Sequence, residues 1–167
     1  MIALPANPDR VRSARPDDEA ELLELCRRNH QENGLGPFAP DKVRSVFRRA
    51  FDAAVNDRCI IGVAGAHGVE GSIGLMIDEP WDGDALILRS LWHYVLPEHR
   101  PSTTHFRDLM AFAKRLADPA PVGIGIPLSA HAVVHARTEA QIKLYRRQLG
   151  DPIAVTWLCE SSLTGAH

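Results

Sequence analysis

Apolar and polar positions change period along this chain, and each change marks an element. In "EAELLELCRRN", Glu19 to Asn29, Leu22, Leu25 and Cys26 recur at helical spacing and share one face. Asp17 or Asp18 stands where the cap of that helix belongs. Upstream, "DRVRSARP" reads as a short strand ended by Pro16. Downstream, "ENGLGPFAP" is a turn-rich loop, and Asp41 opens a second helix whose Val43, Val46, Phe47, Ala50 and Phe51 form an apolar stripe.

From Cys59 the texture is that of strands. "CIIGVAGAHGVEGSIGLMID" predicts a hairpin, with two apolar strands flanking a Gly-His-Gly turn region. "ALILRSLWHYVL" is a long strand that stops at Pro97. A helix follows, with Phe106, Leu109, Met110, Ala113, Leu116 and Ala117 on one face. "PVGIGIPL" has the continuous apolar character of a buried parallel strand. Thr138 and Gln141 form a capping box for a last helix, Gly150 ends it, and "PIAVTWLCES" is a final strand. The order β-α-α-β-β-β-α-β-α-β predicts one mixed α/β sheet, antiparallel in its first half with a parallel crossover in its second.

Length and composition fit a single domain spanning residues 1–167, with 45% hydrophobic and 24% charged residues. A formal net charge of -2 gives no electrostatic case for a nucleic-acid or membrane partner. Arg48-Arg49 and Arg146-Arg147 read as solvated helix faces. Cys26, Cys59 and Cys159 are widely spaced, odd in number and set among apolar neighbours. They predict buried thiols in a reducing compartment. With no signal-peptide pattern and no apolar run of spanning length, a cytoplasmic location is expected.

Three stretches carry a family resemblance. They are the hairpin "VAGAHGVEGSIGLMI", the strand–Pro–x–x–Arg–loop–helix stretch "VLPEHRPSTTHFRDLMAFA", and "TEAQIKLYRRQLG", where a Leu-Tyr pair precedes a Gly and a last strand. Together with the element order, over nearly the whole chain, they resemble the GNAT superfamily of acyl-CoA-dependent N-acyltransferases. Where most members have glycines after the arginine, this chain has Thr103 and His105, and Pro101 follows Arg100 directly. "RPSTTHFRDL" is similar to a variant of that turn seen in phage-associated members, with serine and histidine instead.

The candidate site follows from physics and resemblance together. A helix opening near Ser102 to Thr104 presents amide N–H groups without intrahelical partners, together with the positive end of its dipole, as a seat for a pyrophosphate. Hydroxyls of Ser102, Thr103 and Thr104, with His105 beside them, can add hydrogen bonds, and Arg100 can neutralise charge. The plain alternative is a turn and an N-cap. The resemblance implies that Val95 and Leu96 exchange backbone hydrogen bonds with a pantetheine arm, which enters a gap beside "VGIGI". It also implies that Tyr145 is the general acid returning a proton to the thiolate. A core-packing tyrosine is the competing reading. His93, which strict alternation puts on one face with Leu91 and Val95, and Glu79 are the candidate bases. The helix-spaced pair His131 and His135 lacks a third ligand, so no metal is expected.

The resemblance therefore implies an acetyl-CoA-dependent N-acetyltransferase that acts by direct transfer in a ternary complex. Its acceptor would be a primary amine of a small molecule or protein, bound near "HQENGLGPF" between the first two helices and the sheet. The alternative from another class is a catalytically inactive module of the same fold that binds CoA or a protein. Homodimers are common in the family, and no stripe here stands out as an interface.

Overall fold

A computed structural model describes residues 7–34, 36–52, 58–79, 84, 86–118, 128–129, 142–143 and 145–147. Its sheet has the order β1-β2-β3-β4-β5, formed by Val11–Ser13, Cys59–Ala64, Gly71–Asp78, Ile87–Val95 and Leu128–Ser129. The first three pairings are antiparallel and the last is parallel, with Leu88 opposite Leu128. Two helices, α1 (Glu19–Asn33) and α2 (Pro40–Phe51), lie between β1 and β2 in the chain, and α3 (His105–Ala117) lies between β4 and β5. The predicted α/β class and the antiparallel-then-parallel sheet are both present. The expected gap beside "VGIGI", the pair His131 and His135, and the final strand lie outside the described residues.

Alternation along the strands sends side chains to two cores. On one face, Ile73, Leu75, Leu88 and Val95 pack against Leu109, Phe112 and Ala113 of α3. On the other, Ile61, Val63 and Tyr94 pack against Leu22, Leu25 and Cys26 of α1 and Phe47 of α2. Phe47 is fully buried at the centre of the α2 stripe. Burial of that kind contributes roughly 1.5–3 kcal/mol per side chain, which is why α2 needs no long run of helix formers.

Several boundaries differ from the sequence expectation for local reasons. Helix α1 runs one turn further, to Asn33, because Tyr94 and Arg100 bind Glu32 and hold that turn helical. Asp18 makes no cap bond to α1. Its carboxylate instead accepts from the Arg15 N–H at 2.7 Å and from both terminal nitrogens of Arg12 at 2.6 and 2.7 Å. Helix α2 starts at Pro40, whose fixed φ suits the first helical position, rather than at Asp41. Helix α3 starts at His105, after a single 3-10 turn over Pro97–His99.

The β3–β4 ladder slips by one residue. Gly74 pairs with Trp92 but Leu75 pairs with Ser90, which leaves Leu91 unpaired in a bulge. Strict alternation fails at that point, so Leu91 does not share a face with His93 and Val95. Before the bulge Leu88 faces α3; after it, Val95 does.

Candidate active site

The C-terminal end of β4 is the meeting point of both helical layers. Trp92 and Tyr94 turn toward α1 and α2, and His93 and Val95 turn toward α3. A cavity of about 390 Å³ opens on the first side, lined among others by Cys26, Asn29, His30, Lys42, Leu91 and Trp92. It sits between the first two helices and the sheet, beside the loop that follows α1. Leu91, unpaired at the bulge, is part of its wall.

Trp92 is held firmly. Its indole N–H donates to Ser72 Oγ at 3.3 Å, and its ring meets Phe47 edge-on with centroids 6.1 Å apart. It also lies flat on Gly74, where a Cβ would stand 2.4 Å from the ring. Gly74→Val is therefore expected to drive Trp92 out of place and lower stability by about 1–3 kcal/mol, as overpacking does. A shifted urea midpoint checks this; an unchanged midpoint would show that the ring has room to yield.

Beside the cavity, Glu32 is a hub. Tyr94 donates its hydroxyl to one carboxylate oxygen at 2.7 Å, and Arg100 donates to the other at 2.9 Å. Burial and then the bond to Glu32 hold the Tyr94 phenol well above its ordinary pKa. The Arg100 guanidinium also lies 4.9 Å over the Tyr94 ring. Its Nε donates to Val95 O at 2.8 Å. Leu96 N–H is committed to Glu70 O on the β3 side. By ladder alternation, Val95 N–H and C=O therefore face the opposite edge. Arg100 thus caps the strand end and ties it to α1, rather than reaching over the helix start.

The turn after Arg100 turns most of its polar groups inward. Thr103 donates its hydroxyl to His99 O at 2.7 Å, and Thr104 donates to the buried Asp108. His105 Nε2 and His99 Nδ1 share one oxygen of Glu70, at 2.8 and 3.2 Å. The bond from His105, ahead of the other contacts, holds the Glu70 carboxylate below its usual range. Ser102 is exposed. The helix makes no side-chain cap bond at Thr104, and the N–H of its third residue, Arg107, already donates to Thr104 O at 2.9 Å, so only the first two amides, of His105 and Phe106, are candidates for an anion.

On the α3 side, His93 and Tyr145 are brought together. The His93 ring stacks on Phe106 with centroids 3.7 Å apart and lies 6.1 Å from the Tyr145 ring, itself buried and 5.9 Å from Phe106. His93 Nε2 is 3.0 Å from Phe106 O, so it carries the proton and donates; Nδ1 is buried with no hydrogen-bond partner among the described residues. Burial pushes this imidazole down to about 3. A ring so placed is neutral at pH 7 and lacks the basicity expected of a general base. Glu79 lies at the far end of the sheet, beyond the Asp78–Ile87 pair, and is joined to Arg58 at 3.1 Å. It is not brought near Tyr145, because the Gly71–Val95 pair marks the opposite end of the same ladder.

The His93 shift carries a sign for stability. The unfolded chain takes up a proton near the ordinary value of 6.5, while the folded ring resists it down to about 3. This contribution is complete above pH 6.5 and is lost as pH falls toward 3. His93→Leu should flatten the acid limb of the stability profile, by up to about 1.4 kcal/mol per pH unit. Denaturation midpoints across that range test it, and an unaltered slope would contradict the neutral buried ring.

Sequence reasoning missed Glu32, Trp92 and Lys42. Gly74 was the available signal for Trp92; Glu32 and Arg100 are 68 residues apart and have no local signature. Among the described residues no cluster of three or more His, Cys, Asp or Glu is arranged to hold a metal, and no helix is long and apolar enough to cross a membrane.

No protein-family model matches the sequence, and none of the curated proteins does. Solved structures are similar in fold. An acetyltransferase of Trypanosoma brucei is 15% identical with a TM-score of 0.60, over 90% of this chain and 97% of its own. AAC(6')-Iy, solved with the bisubstrate analogue CoA-S-monomethyl-acetylneamine, is 17% identical with a TM-score of 0.64, over 90% and 96%. An aminoglycoside acetyltransferase, HMB0005, from an uncultured soil metagenomic sample is 16% identical with a TM-score of 0.61, over 91% and 97%. The chain has the GNAT fold.

Proposed function

We propose that this protein is an N-acetyltransferase that moves an acetyl group from acetyl-CoA to a primary amine within a ternary complex. The observation that carries the reading is the cavity against β4, walled in part by Leu91 at the bulge, in a fold shared with a protein captured with a CoA bisubstrate analogue. The thioester would lie along the end of β4 at Val95 and Leu96, and the pyrophosphate on the first amides of α3 with Ser102. Given their present partners, Arg100, Thr103, Thr104 and His105 support that seat by shaping the turn.

In the reaction the amine nitrogen attacks the thioester carbonyl, a C–N bond forms and the C–S bond breaks. The amine's proton passes to water, since neither His93 nor Glu79 has the position and basicity to take it. Tyr145 protonates the departing thiolate and is reprotonated from solvent. A covalent acyl-cysteine route is disfavoured, because burial pushes the Cys26 thiol up to about 12.

A second reading, a binder without turnover, is favoured by one observation: Arg100 already occupies Val95 O, an acceptor that an added ligand strand would use. Thermal melting with acetyl-CoA and with adenosine tests both readings. Stabilisation by acetyl-CoA alone supports a thioester site; no shift with acetyl-CoA would remove the transferase reading and leave only the binding of a protein.

A further inference from the structure

The cavity against β4 has a charge pattern that bears on its ligand. Among the described residues that line it there is no aspartate or glutamate. Its polar residues are Asn29, His30, Asn33 and Lys42, with Trp92, whose indole N–H is given to Ser72, and His93, whose ring stacks on Phe106 of α3. Asn33 donates to Asn29 Oδ1 at 2.9 Å, and His30 Nε2 is joined to Gly36 O at 2.9 Å. Lys42 is exposed and has no ion-pair partner among the described residues, since its neighbour Asp41 and Glu19 are both within reach of Arg44 instead.

The carboxylates of α1 face elsewhere or are already bound. Glu32 holds Tyr94 and Arg100, Glu24 holds Arg27, and Glu21 accepts the Val69 N–H. From Asp41 to Arg49, α2 contributes Lys42, Arg44, Arg48 and Arg49 against the single carboxylate of Asp41. Of these basic residues only Lys42 lines the cavity, Arg44 being paired with Glu19 and Asp41 and Arg49 reaching Met76, so Lys42 is the cation the cavity offers to an anion. An acceptor with several ammonium groups would find no carboxylate in the wall to replace its lost hydration. Apolar surface is present as well, from the pinned Trp92 and from Phe38, whose ring lies 5.4 Å from that of His30.

We propose that the acceptor site takes a primary amine that also carries a carboxylate and an apolar body, of amino-acid to dipeptide size, with Lys42 as the carboxylate's partner. The proposal rests on the acetyl-transfer reading for the fate of the amine, while the selectivity of the cavity stands on its lining alone. It separates this chain from a polyamine acceptor such as the neamine moiety in the AAC(6')-Iy complex.

Calorimetric titration of the full chain, with CoA present, would use glycylphenylalanine, its C-terminal amide and neamine as probes. The free acid should bind about 2–5-fold tighter than the amide, the range of one exposed ion pair, and neamine most weakly. Lys42→Glu changes an exposed side chain, and it should abolish the preference for the acid and improve neamine. Equal binding of acid and amide, tightest binding of neamine, or no binding by any probe would overturn the proposal. Thiol release measured alongside separates the two readings. Lysine-dependent binding of the acid without released CoA keeps the selectivity and removes transfer, whereas turnover of neamine in preference to the acid keeps transfer and removes the selectivity.

Discussion

Tyr145→Phe should lower turnover by on the order of 100-fold or more while acetyl-CoA affinity and melting temperature stay close to the parent. The ring survives the substitution, so its packing against His93 and Phe106 survives too. What is removed is the hydroxyl proton offered to a departing thiolate, a loss read in the chemical step. Single-turnover kinetics with a saturating amine make the comparison cleanest. A variant that turns over at the parental rate would return Tyr145 to the role of a core side chain and leave the thiolate to be protonated by water.

The largest loss of stability is expected from Asp108→Ala. Asp108 is fully buried, and its two carboxyl oxygens serve different parts of the chain. One accepts the Asn7 N–H at 2.6 Å, and the other accepts the Thr104 hydroxyl, which itself receives Arg10 at 3.1 Å. Alanine would leave a buried hydroxyl and an amide without acceptors and a void beneath the start of α3. The cost should be roughly 3 kcal/mol, read from urea denaturation. Asp108→Asn keeps the shape and one acceptor, so it should recover part of that. If alanine proves neutral, the N-terminal segment is not anchored through this side chain.

The same residue shows why the turn after Arg100 was hard to read. Three hydroxyls before a helix are equally good as phosphate donors and as internal bonds, and sequence alone does not choose between them. Thr104 and Asp108 are four residues apart, a spacing that places them on one helix face, and this was the clue that the hydroxyl would turn inward. Periodicity was otherwise a good guide. The hairpin Cys59–Asp78, the α2 stripe and the α3 stripe all form as patterned, because each is fixed by burial of local apolar positions.

Long-range pairing was not legible. Glu32 looked like the start of a loop until Tyr94 and Arg100, brought alongside by the sheet, gave its carboxylate two donors. His93 looked like an accessible imidazole on a strand, but α3 lays Phe106 across it and removes its water. The bulge at Leu91 left no trace in an unbroken apolar run, although it forms part of the cavity wall and reverses which side chains face α3.

The most direct test of acetyl transfer is the release of free thiol from acetyl-CoA, followed continuously with purified protein and a panel of primary amines that includes glycylphenylalanine. The account predicts amine-dependent release matched mole for mole by acetylated amine. A folded protein that binds acetyl-CoA yet releases no thiol with any amine would contradict it.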